Sequence, residues 1–97
     1  MATYAMLSTV GPGGGATIRE HPDRILEVQR EVEALGVTVL SQYALLGQYD
    51  FLTIIEAPDE RAMARVATHL AARGTLRTTT LQAIPAAEFV AELARDV

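Results

Sequence analysis

Ninety-seven residues, 49% of them apolar, are enough for one domain with a packed core, expected to span 1–97, and too apolar for a disordered chain. A net charge of −4, with eight basic residues that are all arginine and scattered, is the wrong balance for gripping phosphate backbones, so no nucleic-acid partner is expected. The lack of cysteine removes disulfides, thiolate nucleophiles and cysteine metal sites, and no apolar run approaches the ~20 residues of a membrane span.

The start, MATYAMLSTV, lacks the basic head and long apolar stretch of a signal peptide, which makes a soluble cytoplasmic protein the default expectation. Residues 3–10, TYAMLSTV, read as a first strand of β-tolerant types. GPGGG at 11–15 should neither continue a strand nor begin a helix, and it lacks the Gly-Lys-Ser/Thr ending of a phosphate loop. It is expected to be a flexible connector. In HPDRILEVQREVEALG, Pro22 fits a first helical turn, Asp23 complements the positive helix end and Gly36 closes the helix. Ile25, Val28, Val32 and Leu35 recur at helical spacing. Residues 37–46 and 50–56 are two strands. A second helix follows with Asp59 as N-cap, Met63, Val66, Ala67 and Leu70 as its buried stripe, and Gly74 as its end. TLRTTTLQAI at 75–84 is threonine-rich and reads as a fourth strand. After Pro85 a short terminal helix offers Phe89, Val90 and Leu93 as apolar contacts.

The order β-α-β-β-α-β plus a terminal helix predicts an α+β, ferredoxin-like fold with a four-stranded antiparallel sheet and both crossover helices on one side. If Gly47-Gln48 is a two-residue type II′ turn, Leu45 lies opposite Asp50, Tyr43 opposite Leu52 and Gln42 opposite Thr53. One face of the hairpin then holds Val37, Val39, Tyr43, Leu45, Leu52 and Ile54 and suits the helices. The other holds Leu40, Leu46, Phe51 and Ile55, too much apolar surface for water. A second copy covering this open face by two-fold symmetry is the simplest remedy, so a homodimer or an assembly of dimers is predicted.

YALLGQYDFLTIIEAPDE followed by GTLRTTTLQAIPAAEF resembles the GYD-domain family, small stand-alone proteins with a dimeric α/β-barrel fold. The motifs that carry the resemblance are Gly47-x-Tyr49-Asp50 and Arg77-Thr78-x-Thr80-Leu81, in a match running from about Pro22 to the C-terminus. The first loop departs from it, with GPGGG in place of the family's charged linker. The hairpin also resembles the effector-binding domain of leucine-responsive transcription regulators, in which small molecules such as amino acids bind near a Gly-x-Tyr-Asp-like hairpin at subunit contacts. The 97 residues leave no room for the DNA-binding helices of those regulators. This second resemblance implies a small-molecule site around Tyr43, Gly47, Tyr49 and Asp50.

Each of these residues also has a plainer use. Asp50 can accept a ligand amine or act as a base, or it can accept backbone N–H bonds from the turn and lock the hairpin. Tyr43 and Tyr49 can bond a ligand through their phenols or pack at a subunit contact. Gln42, Thr53, Thr78 and Thr80 can line a polar pocket or form cross-strand pairs. Arg77 can meet a ligand carboxylate or make an intersubunit ion pair. His21 and His69 have no metal-binding spacing and are expected to be solvated. No metal and no cofactor are expected. Two functions follow: a small-molecule-binding or regulatory domain acting as a homodimer or larger assembly, or a cofactor-free monooxygenase- or isomerase-like enzyme of the dimeric α/β-barrel type. A cavity above roughly 300 Å3 holding a carboxylate or imidazole would favour the enzyme.

Overall fold

A computed structural model describes residues 1–11, 13–74 and 76–95. Its elements are β1 (Ala2–Val10), α1 (Gly14–Glu20), α2 (Arg24–Glu33), β2 (Thr38–Ala44), β3 (Phe51–Ala57), α3 (Glu60–Arg73), β4 (Leu76–Ala83) and α4 (Ala86–Ala94). The four strands form one antiparallel sheet in the order β2-β3-β1-β4. This is the ferredoxin-like βαββαβ arrangement with a C-terminal helix. The shortest dimension, 18 Å, fits one sheet beneath one layer of helices.

Local chemistry explains the element ends. The Asp59 carboxylate accepts the Ala62 N–H at 2.9 Å, which caps α3, and Gly74 closes that helix in a left-handed conformation. Along α3, Ala62, Met63, Val66 and Leu70 are buried at helical spacing. They pack on Tyr4, Met6, Ile55 and Ala57 of the two central strands, with Val32 of α2 and Val37 completing the core. Ile55, Val66 and Leu70 are its largest fully enclosed side chains. Each contributes roughly 1.5–3 kcal/mol through the surface it removes from water.

Three expectations require correction. The GPGGG run does begin a helix. Gly13 at φ 79° turns the chain, and Gly14 and Gly15 enter α1 directly. The Gly14 N–H bonds to the Gly11 carbonyl at 3.0 Å, and the backbone and hydroxyl of Thr17 both bond to the Gly13 carbonyl. Helix propensity loses here because local bonds and the neighbouring α2 hold the turn.

The hairpin closes differently as well. Gln42 pairs with Thr53 and Tyr43 with Leu52, as the sequence register has it. Leu45 also meets Asp50 as expected, its N–H bonding to the Asp50 carbonyl at 2.8 Å, but that rung is the last. Leu46 to Tyr49 form a wider loop of bends, with no bond closing Leu46 on Tyr49 among the described residues.

Finally, the helices cover the opposite sheet face from the one expected. Thr53 and Ile55 are 5% and 0% exposed, whereas Leu52 and Ile54 are only half-buried. The hairpin alone could not break this tie. The central strand β1 does, because Tyr4, Met6 and Ser8 are buried and pair with Ile55, Thr53 and Phe51. A bulge at Leu40 then shifts the phase of β2, carrying Val37 and Val39 to the helix side and leaving Leu40 exposed. The open face therefore presents Ala5 and Leu7 of β1, Leu52 and Ile54 of β3, Tyr43 of β2 and Leu81 of β4.

Candidate functional site

The hairpin motif dissolves into separate roles. Asp50 bridges β2 and β1 through three contacts, all at 2.8 Å. Its carbonyl accepts from Leu45, its N–H donates to the Ser8 carbonyl, and its carboxylate Oδ2 accepts the Val10 N–H. The sequence reading placed a structural Asp50 on its own turn. The donor is instead a strand 40 positions away. Tyr43 is exposed on the open sheet face, and Tyr49 is half-buried. Gly47 is exposed with φ 123°, a backbone state that side chains with a Cβ adopt only under strain. Gly47→Val is expected to lower stability by about 1 kcal/mol, read as the midpoint of chemical unfolding. The space around Gly47 is open, so backbone strain rather than a clash causes that loss.

A cavity of about 310 Å3 lies on the other side of the sheet, between the strands and α1 and α2. Its roof is mainly apolar, with Ile18, Ile25, Val28 and Val32, but also carries Thr17, Arg24 and Gln29. The floor carries Met6, Val39 and Phe51 but also Ser8, Gln42 and Thr53. Among the described residues Arg24 is the only charged one at its wall, and the guanidinium is paired with Glu27 at 2.7 Å. The groups that would move protons in an enzyme, Asp50, Tyr43, Tyr49, His21 and His69, do not line it. Tyr43, Gly47, Tyr49 and Asp50 are thus not gathered around this cavity, although Asp50 adjoins its lining residue Phe51.

Gln42 and Thr53 do line this polar floor, as one of the sequence alternatives had it. Thr78 and Thr80 share the same sheet face through their pairs Ser8 and Met6, but they stand clear of the cavity. Ser8 was overlooked. Its signal was position alone, a serine two places beyond Met6 on the inward side of an alternating strand.

The remaining polar groups lie elsewhere. His21 is exposed between α1 and α2. The His69 side chain is 39% exposed, so the ring is in part solvated as expected, but its Nε2 is shielded from water and lies 3.8 Å from the Glu31 carboxylate. Glu31 also pairs with Arg73, tying α2 to α3. Arg77 is exposed opposite Thr9 at the sheet's edge strand. Among the described residues no cluster of His, Asp or Glu is placed to hold a metal, and no helix is long and apolar enough to cross a membrane.

Comparison with known proteins agrees with this anatomy. Residues 4–93 match the GYD domain. Over 94 residues, 96% of this chain and 99% of the other, the sequence is 47% identical to the glutamine synthetase and cystathionine beta-lyase binding protein of Thermus thermophilus. The crystal structure of FFRP-DM1 superposes with a TM-score of 0.59 at 21% identity, covering 87% of this chain and all of the other. That of TTHA0845 from Thermus thermophilus gives 0.56 at 23% identity, covering 88% and 95%. At those identities the two structures speak for the fold alone.

Proposed function

The chain belongs to the GYD domain family, and from that membership we propose a cytoplasmic homodimer that regulates metabolic enzymes by binding to them. The observation that carries this reading is the bare apolar surface. Leu7, Leu52, Ile54 and Leu81 share the sheet face opposite the one on which α2 and α3 pack, and Phe89, Val90 and Leu93 stand exposed on α4. Exposed apolar surface on a sheet face and on a helix is the kind that marks association. The Thermus thermophilus relative supplies the class of partner, so glutamine synthetase and cystathionine beta-lyase are the two enzymes to try. The cavity supports binding over catalysis, because among the described residues its wall offers no general acid or base to a substrate. A regulator needs an input, and a small molecule has room there.

Calorimetric titration of each purified enzyme with this protein tests the reading. Saturable binding at micromolar concentration to at least one enzyme is expected, with a change in its kcat or KM. Silence from both at tens of micromolar removes the assignment.

A further inference from the structure

We propose that the cavity beneath α1 and α2 binds a small, uncharged, mainly apolar molecule through one amide- or carbonyl-type head group, which Ser8 and Thr53 hold from the sheet. The site takes its regulatory purpose from the function proposed above, but its existence rests on separate observations. Ser8 and Thr53 are 4% and 5% exposed, and both line the cavity. Neither hydroxyl has a hydrogen-bond partner among the described residues. Neither oxygen is sealed off, since His69 Nε2 is the one buried, unpartnered side-chain polar atom among the described residues, so both hydroxyls are free to meet a solute that enters the cavity.

Their placement suits one ligand group. Ser8 pairs with Phe51 and Met6 with Thr53, so the two hydroxyls are diagonal neighbours on one face of adjacent strands. A single head group can reach both. Gln42, directly across from Thr53, adds an amide able to donate or accept. The mainly apolar roof disfavours a strongly hydrated ligand, and Gln29 there offers a second amide to a polar head group. Arg24, the one charged group at the wall among the described residues, already pairs with Glu27, so a ligand carboxylate would have to compete for it. A volume of 310 Å3 corresponds to about ten waters, which sets the ligand at on the order of ten non-hydrogen atoms.

Benzamide, toluene and benzoate form a matched set of probes for the intact protein, read by ligand-observed NMR and calorimetry. Benzamide is expected to bind saturably, with benzoate and toluene at least tenfold weaker. Thr53→Val is expected to weaken benzamide about tenfold, leave toluene unchanged, and hold or raise the melting temperature of the empty protein. That combination separates a ligand contact from a structural hydroxyl, whose loss would lower the melting temperature and spare affinity. Val28→Phe, which fills the cavity from its roof, is expected to abolish benzamide binding.

No saturable binding of benzamide would overturn the proposal and leave a water-filled space. Wild-type affinity in Val28→Phe would place the ligand elsewhere and overturn it too. Enzyme docking is measured without benzamide, so a failed docking experiment removes the regulatory reading while leaving this site standing.

Discussion

Leu52→Arg is expected to leave the fold intact and to turn a dimer into a monomer in sedimentation at concentrations where the wild type is fully associated. Leu52 sits on β3 beside Leu7 of β1, in the two central strands of the open sheet face. In the isolated chain an arginine there extends into water, and the core on the opposite face is untouched. Across a two-fold interface it meets the apolar face of the second copy, and by symmetry its own counterpart. Desolvating such unpaired charges costs several kcal/mol, and each ~1.4 kcal/mol weakens association tenfold. A four-stranded sheet of this length offers on the order of 500 Å2 of flat area, short of the roughly 800 Å2 per partner of a standard interface. The three exposed apolar residues of α4 make up the difference in this reading, because among the described residues α4 packs only weakly on the rest of the fold. Phe89→Ser is accordingly expected to weaken the dimer without abolishing it. A wild type that sediments as a monomer at tens of micromolar sinks the argument, as does a Leu52→Arg protein that stays dimeric.

Features governed by neighbours along the chain were legible in the sequence. Asp59 and Gly74 bound α3 because capping is decided within a few residues. The pairing of Gln42 with Thr53 and Tyr43 with Leu52 follows from a short loop joining two strands. Features set across the fold were not. In FLTII both phases of the alternation are apolar, so only β1, more than forty positions away, decides that Thr53 and Ile55 face the helices. The bulge at Leu40 leaves no mark in composition. The glycine run reads as a breaker by propensity, yet local bonds and α2 draw two of its glycines into α1. The cavity was half legible. Gln42 and Thr53 stood out as polar residues in apolar strands, while Ser8 looked like an ordinary strand-end residue until its inward position was known.

Asp50 shows the same division, and its removal is expected to give the largest loss of stability among the exposed or half-buried sites. The carboxylate accepts the Val10 N–H where β1 runs beyond its pairing with β3, which ends at Ser8 and Phe51. A hydrogen bond to an ionised acceptor contributes more than a neutral one, and Asp50→Ala also strands a part-buried N–H. The expected cost is about 2–3 kcal/mol, which in a domain of this size lowers the melting temperature by roughly 10–20 °C. Asp50→Asn keeps an oxygen that can accept from Val10 but gives up the charge, so about half that loss is expected. The two variants also separate the structural role from a ligand role. If Asp50 serves only to clasp β1, Asp50→Asn measured well below its melting temperature keeps its affinity for benzamide and for the enzyme partners within about twofold of the wild type, a difference of ~0.4 kcal/mol. If the carboxylate receives a ligand cation, that variant loses binding of the cationic ligand while its stability falls only a little. A drop in melting temperature with affinity intact assigns Asp50 to the joint between three strands and leaves the functional chemistry to the cavity floor.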